Sequence, residues 1–335
     1  MTRGTKRVRE ATPPSNAASS ASNLSPVSPL SPLSSGSSSS VLRSLHSPPQ
    51  SPHKSKKLKL LTDHADASPF PDFVAPTPAE ARAVHAVLLC AHPQHQAAAT
   101  RGPVDDKGRI QKNSAETCGR VPNVLDALIG TILSQNTSSR NSTAAKHSLD
   151  ATFGLHGFEA MARAPRAEVV TAIQHGGLAN RKAEIIQKLL KGVHAQRGVY
   201  SLQHLAEDKS ITDAQAMAEL VGYDGVGPKT AACVLLFSLG RDSSIAVDTH
   251  VYRLSKILAW VPPRANRVQA QLHLDARVPK ELKYGLHVLM VTHGRLCKGC
   301  KGASAKGSCG LKAYMKERKA DLAKVGSQVA LEEES

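Results

Sequence analysis

Two residues whose types and spacing could do chemistry are Lys229 and Asp248, each at the start of a helical pattern. Lys229 lies in GYDGVGPKTAACVLLF, residues 222–237. A cation in the first turn of a helix opposes the macrodipole, which favours the neutral amine. Desolvation lowers its pKa further, and a neutral lysine attacks electrophilic carbon. The plainer role for the same side chain is a phosphate contact. Asp248, in IAVDTHVYRLSKIL, ends an apolar stretch and opens a helix, which makes it an N-cap by residue type. Only one helix and a short loop separate it from Lys229. That arrangement can return its carboxylate to the mouth of the cleft that holds the amine.

The stretch before Lys229 reads as helix (AMAEL), tight turn (GYDGVG), helix (PKTAACVLLF). Glycine permits positive φ and lets backbone approach a surface closely. Pro228 suits the first helical position because it has no amide hydrogen. The free amides of such a turn and first helical turn form an anion site, with phosphate the natural occupant. This resembles the helix-hairpin-helix motif, which grips the DNA backbone without reading sequence. Ligases, polymerases and other DNA proteins carry such hairpins as well, so the motif alone points to DNA rather than to an enzyme.

The elements that must position these residues are helical. Aromatic residues make up 3% of the 335-residue chain, so the core must be built mainly of Leu, Ile, Val and Ala. No stretch shows sustained strand alternation. Order is expected from TPAEARAVHAVLLC, where Thr77 caps, Pro78 starts the helix and Glu80 completes a capping box. Residues 99–120 read as a loop. NVLDALIGTILSQNTSS then opens a helix capped by Asn123, with Val124, Leu125, Leu128, Ile129, Ile132 and Leu133 at helical spacing. Further helical patterns follow through PKELKYGLHVLMVTHGR, giving a nearly all-α reading of about ten short helices. Residues 1–70 are Ser/Pro-rich and cannot bury enough apolar surface to offset ordering entropy, so a disordered tail is expected. It holds recurrent Ser-Pro pairs and two basic clusters, Lys6–Arg9 and Lys54–Lys59, read as nuclear-import signals or as solubilising charge.

Net charge is +16, and the first 68 residues account for +6 of it. The folded part is therefore itself basic, which points to a polyanionic partner, most simply nucleic acid. No apolar run approaches about 18–20 residues and no secretory h-region is read at the start. A soluble, intracellular, monomeric protein with reduced thiols and no membrane partner is expected.

Together, LIGTILSQNTSS, GLANRKAEII, GVGPKTAACVLLF, IAVDTHVYRL and VTHGRLC make the chain similar to the helix-hairpin-helix (HhH-GPD) base-excision DNA glycosylases, in particular their endonuclease III-like branch. The match runs from about 123 to 314, plus the helix after Thr77. The resemblance implies two helical domains flanking a DNA-binding cleft. One is continuous and six-helical, 123–237; the other joins 75–98 to 238–320, and a charged tail, 321–335, follows. It implies that Lys229 is the lysine marking bifunctional glycosylase/lyases and Asp248 the catalytic aspartate. A carboxylate there stabilises an oxocarbenium-like centre, and the amine forms a Schiff base that permits β-elimination. Gly225, Val226 and Gly227 carry the phosphate contact. Gln135 and Asn136 match the segment that fills the space left by a displaced base, or are plain loop and cap residues. Arg295 opens a basic surface that runs on past the cysteines. The partner implied is double-stranded DNA with a damaged base or an abasic site, by default an oxidised pyrimidine, and the site of action the nucleus, with the mitochondrion left open.

No cofactor is required for this chemistry. The branch also carries an iron–sulfur cluster on four cysteines after HGR. Here Cys297 and Cys309 fit the first and third positions, Lys306 and Met315 stand at the second and fourth, and Cys300 is extra. The fourth cysteine is missing, which argues against a standard cluster. A metal-free loop, an iron–sulfur cluster and a Cys3His zinc site using His293 stay open, in that order. Two other functions remain alongside: a monofunctional glycosylase for alkylated or mismatched bases, against which Lys229 speaks, and a non-catalytic DNA-binding protein, against which Asp248 speaks.

Overall fold

The computed structural model describes residues 52–64, 67–99, 122–301 and 307–320. Among these residues every regular element is helical. The Lys6–Arg9 cluster, the Ser-Pro pairs before residue 52, Cys118 and the tail 321–335 lie outside the described residues.

The helices are α1 (Pro52–Asp63), α2 (Pro78–Ala91), α3 (Val124–Leu133), α4 (Ser139–Phe153), α5 (Phe158–Arg163), α6 (Arg166–Ala172), α7 (Ala179–Arg197), α8 (Asp213–Gly222), α9 (Pro228–Cys233), α10 (Thr249–Ile257), α11 (Arg267–Arg277) and α12 (Lys280–Leu296). A last helix, α13, covers residues 310–320. The helix begun by α9 widens into a π turn over Val234–Ser238. Caps follow the residue types: Thr77 and Thr212 form capping boxes with Glu80 and Gln215, and Asn123 accepts from the Asp126 amide.

α3 is buried on nearly every face, the pattern of a helix enclosed by others. α4, α7 and α9 pack around it. Its one buried carboxylate, Asp126, is paired 3.0 Å from the Lys146 Nζ. α12 is the second such axis, buried from Lys283 to Gly294 and packed by α2 and α10. Both groups share one apolar core and belong to one compact unit.

Described helical structure lies on the N-terminal side of the expected boundary at Thr77. α1 packs on α8, with Leu58 and Leu61 against the core. Residues 68–75 run over α11 and are held by His273, whose Nδ1 lies 2.6 Å from the Ser68 hydroxyl and whose Nε2 lies 2.7 Å from the Ala75 carbonyl. Composition over 70 residues hid these elements. Leu58, Leu61 and Phe70, spread among Ser, Pro and Lys, are too few to register on average, yet each packs against the core.

The segment leading to Asp248 is anchored by two buried side chains, Asp275 and Lys283. The Asp275 carboxylate accepts from the Ser244 hydroxyl (2.7 Å) and the Ile245 amide (2.6 Å). Lys283 Nζ donates to the Ser243 and Asp275 carbonyls at 2.6 and 2.8 Å. Burial outweighs the nearby Lys283 and these hydrogen bonds, and raises Asp275 to about 7. A carboxyl raised on folding stabilises the fold while protonated, and that contribution is lost as pH climbs through the folded value. Asp275→Asn keeps an acceptor for Ile245 and removes the ionisation. The Tm of the wild type should therefore fall relative to that of Asp275→Asn between pH 5 and 8, as measured by thermal melts of both proteins across that range. Parallel curves would show that Asp275 does not titrate there.

Candidate active site

The cleft is lined by three backbone segments and a helix end: Ser134–Thr137 after α3, Tyr223–Thr230 at the hairpin, Val247–His250 before α10, and Val291 and Arg295 near the end of α12. They enclose a cavity of about 790 Å³. Lys229 and Asp248 both line it, as do Gln135, Asn136, Gly225, Val226, Gly227 and Arg295. Tertiary structure thus gathers the site residues expected from sequence, the cysteines apart, around one cavity.

The hairpin geometry shows what each glycine does. Gly225 has φ +80°, and a Cβ there would sit 2.4 Å from Ile185 Cγ2. Gly225 is therefore demanded by the fold itself. Gly227 has φ −104° and caps α9, and a Cβ there would meet nothing within 4 Å. The fold does not need glycine at 227, and the open space above it faces the cleft. Gly225→Ala should lower stability by about 1–3 kcal/mol in a denaturant melt. Gly227→Ala should keep the wild-type melt and lose affinity for DNA in a binding titration. Equal losses of stability would show that the open space has no bearing on DNA.

Asp248 caps α10 through one oxygen only. Oδ1 accepts from the His250 and Val251 amides, each at 2.8 Å. Capping therefore occupies half of a carboxylate that also borders the cavity. Burial lowers the pKa of neighbouring His250, so its imidazole adds no charge to the cavity near neutral pH. α10 lies close on α12 because Gly294 has no side chain; a Cβ there would fall 2.7 Å from that of His250. Arg253 Nη2 donates to the Gly294 carbonyl at 2.8 Å and locks the crossing.

Three side chains position the site, and two of them, Gln271 and Lys182, were not singled out in the sequence. Gln135 Nε2 donates to the Thr230 hydroxyl at 3.1 Å, tying the turn after α3 to the first turn of α9. Gln271 of α11 donates to the Pro228 carbonyl and the Ser244 hydroxyl, at 3.3 and 3.1 Å. Lys182 is buried and donates to the Leu133 and Gly176 carbonyls at 2.7 and 2.8 Å, which fixes the end of α3 from which Gln135 and Asn136 project. The available signal for Lys182 was its place on the apolar face of α7, in register with Ile186, Leu189 and Val193.

Known proteins share this architecture. A model described as HhH-GPD superfamily base excision DNA repair protein matches residues 129–280. An Arabidopsis thaliana protein carrying a provisional DNA glycosylase name is 36% identical over 249 residues, covering 71% of this chain and 83% of the relative. The chain belongs to the HhH-GPD base-excision DNA glycosylase family. Endonuclease III of Sulfolobus acidocaldarius is 28% identical over 206 residues, covering 61% of this chain and 86% of its own. An endonuclease III bound non-covalently to DNA superposes with a TM-score of 0.52 at 23% identity, over 73% of this chain and 99% of that one. A covalently trapped endonuclease III–DNA complex superposes with a TM-score of 0.51, also at 23% identity, over 71% and 98%. The fold is thus that of the endonuclease III-like glycosylases.

The family's metal position corrects the expectation of an incomplete ligand set. His293, Cys297, Cys300 and Cys309 converge, with one donor atom from each lying within 4.8 Å of the others. Cys309 Sγ lies 3.5 Å from Cys300 Sγ and 3.3 Å from His293 Nε2. The fourth donor is His293, one helical turn before Cys297 on the same face of α12, rather than a residue after Cys309. His293 was expected only in a Cys3His zinc site, while the iron–sulfur set was read as one cysteine short; the i, i+4 pair with Cys297 was the signal. Three thiolates and an imidazole suit an iron–sulfur centre of the endonuclease III type with histidine replacing one cysteine. The same donors also form a Cys3His zinc shell.

Electrostatics support this fit. Burial, then His92 and Arg253, push His293 down to about 4, so it is a neutral ligand at pH 7. Burial and the neighbouring thiols push Cys300 up to about 12, and only a bound cation would let all three sulfurs ionise together. His92, at the end of α2, places Nε2 2.9 Å from His293 Nδ1. With His293 Nε2 turned to the metal, Nδ1 carries the proton and donates to His92, which fixes tautomer and ring. Purified protein should carry metal by elemental analysis. His293→Ala should lose it, and His92→Ala should release it to a chelator about 10–100-fold more readily. Full retention by His293→Ala would remove His293 from the ligand set.

Proposed function

We propose that this glycosylase is bifunctional, with a damaged base excised and the abasic site then nicked through Lys229. The observation that carries the reading is that Lys229 and Asp248 border one cavity, beside a glycine turn whose backbone is open to a phosphate. The target base first leaves the stack and enters the cavity, and Gln135 and Asn136 lie where they can fill the gap. As the glycosidic bond breaks, its electron pair leaves with the base and C1′ gains oxocarbenium character, which Asp248 stabilises. The Lys229 amine bonds to C1′ in its deprotonated form, and opening of the sugar gives a protonated Schiff base. Loss of a proton from C2′ then expels the 3′ phosphate by β-elimination, and water releases the lysine. His293, Cys297, Cys300 and Cys309 would hold the metal group, which when bound would cross-link the segment after α12 and takes no part in these steps.

By likeness to endonuclease III, the base class is an oxidised pyrimidine. The basic clusters at 6–9 and 54–59 support a nuclear site of action.

Borohydride should trap the wild type covalently on an abasic duplex. Lys229→Gln should lose both base release and nicking while changing DNA affinity little. Asp248→Asn should slow base release by about 10²-fold or more, equivalent to roughly 3 kcal/mol, and slow nicking of a preformed abasic site less. Separate assays of released base and nicked strand read the difference. Wild-type nicking by Lys229→Gln, with affinity lost instead, would make Lys229 a phosphate contact and end the bifunctional assignment.

A further inference from the structure

We infer that α1 is a DNA-binding element, with Lys57 a phosphate contact beside the hairpin. The inference rests on the DNA-directed reading of the cleft and adds a segment that composition had assigned to the tail.

α1 reads PHKSKKLKLLTD. Leu58 and Leu61, three residues apart and so on one face, pack against the core. The helix they dock lies on α8, the first helix of the hairpin. Its lysines then fall into different environments. Lys56 is exposed. Lys59 is exposed too and is paired with Asp63 one turn on, 3.0 Å away. Lys57 is half-buried and lines the same cavity as Lys229 and the glycine turn.

The charge of that cavity indicates the partner. Lys57, Arg181, Lys229, Arg267 and Arg295 line it, against Asp224 and Asp248 as its only carboxylates among the described residues. Cations drawn from five separate parts of the chain onto one rim make a track for a polyanion rather than a site for a small acid. A duplex held by the amides around Gly227 continues past the hairpin in both directions. A lysine on the helix that covers α8 is placed to meet the flanking backbone. A phosphate contact of this kind fixes register and carries no sequence information. The competing reading is that α1 occupies the cleft and must leave before DNA enters, in which case Lys57 opposes binding.

The test uses the full chain and a duplex bearing a tetrahydrofuran abasic analogue, which neither a glycosylase nor a lyase step can consume. Kd is measured for wild type, Lys57→Gln, Lys57→Arg and Lys59→Gln over a range of salt. Lys57→Gln should weaken binding about 3–10-fold and flatten the dependence of log K on log salt by about one. Lys57→Arg should restore both, and Lys59→Gln should change neither. Single-turnover nicking of a duplex with a natural abasic site, at saturating enzyme, should match the wild type for Lys59→Gln. Unchanged affinity and slope in Lys57→Gln, or an equal effect of Lys59→Gln, would overturn the contact. Tighter binding by Lys57→Gln would overturn it in favour of an occluding helix. Absence of DNA binding by the wild type would instead defeat the functional reading on which the inference rests.

Discussion

The first turn of α9 is held from three sides, and the cleft depends on it. A surface that grips a phosphate through bare amides has no side chain with which to adjust, so the backbone must already be in place. Ile185 fills the space a Cβ would need at Gly225, Gln271 holds the Pro228 carbonyl and Gln135 holds the Thr230 hydroxyl. Each tether comes from a different helix or turn. The same turn carries Lys229, so its amine inherits the rigidity required for the phosphate. Pre-set geometry of this kind lets electrostatic stabilisation act without reorganisation during the reaction.

Two buried ammonium groups keep the frame around that turn. Lys182 and Lys283 are nearly free of solvent contact, and an unpaired buried charge would be costly. Each instead donates to two backbone carbonyls. Lys182 meets Leu133 at the end of α3, where a cation also complements the helix dipole. Replacing either one removes a hydrogen-bond donor to two carbonyls. Lys229 has other surroundings: it borders an open cavity, whereas these two end on carbonyls.

The metal position extends the frame to the N-terminal part of the chain. His293 ends α12, His92 ends α2, and one hydrogen bond joins them. Arg318 of α13 is ion-paired with Glu80 in the first turn of α2. The cysteine segment is therefore bracketed by contacts to a helix more than 200 residues earlier in the chain. Arg295 lies between His293 and Cys297 and lines the cleft, so the order imposed on the ligands is passed to a cleft cation two residues away.

Much of this was legible along the chain. Helical periodicity, caps at Thr77, Asn123 and Asp248, and the Gly-Val-Gly-Pro-Lys turn are local: they depend on residues within a few positions of one another, and the structure keeps them. The convergence of Lys229 and Asp248 on one cavity was inferred from the short connection between them, and short connections restrict geometry. What the sequence left undecided requires contacts between distant segments. Lys182 and Gln271 look like ordinary polar residues until the carbonyls they meet are brought to them. α1 is too short and too polar to register by composition, and it is ordered only because α8 offers a surface for two leucines. His293 differs from other histidines near Cys297 only because one helical turn, followed by a loop that returns Cys309, puts four donors around one point. Local pattern determined the helices and the reactive turn; burial and long-range packing decided which polar residues hold the site, where order begins and what completes the metal shell, because those depend on neighbours that only the fold supplies.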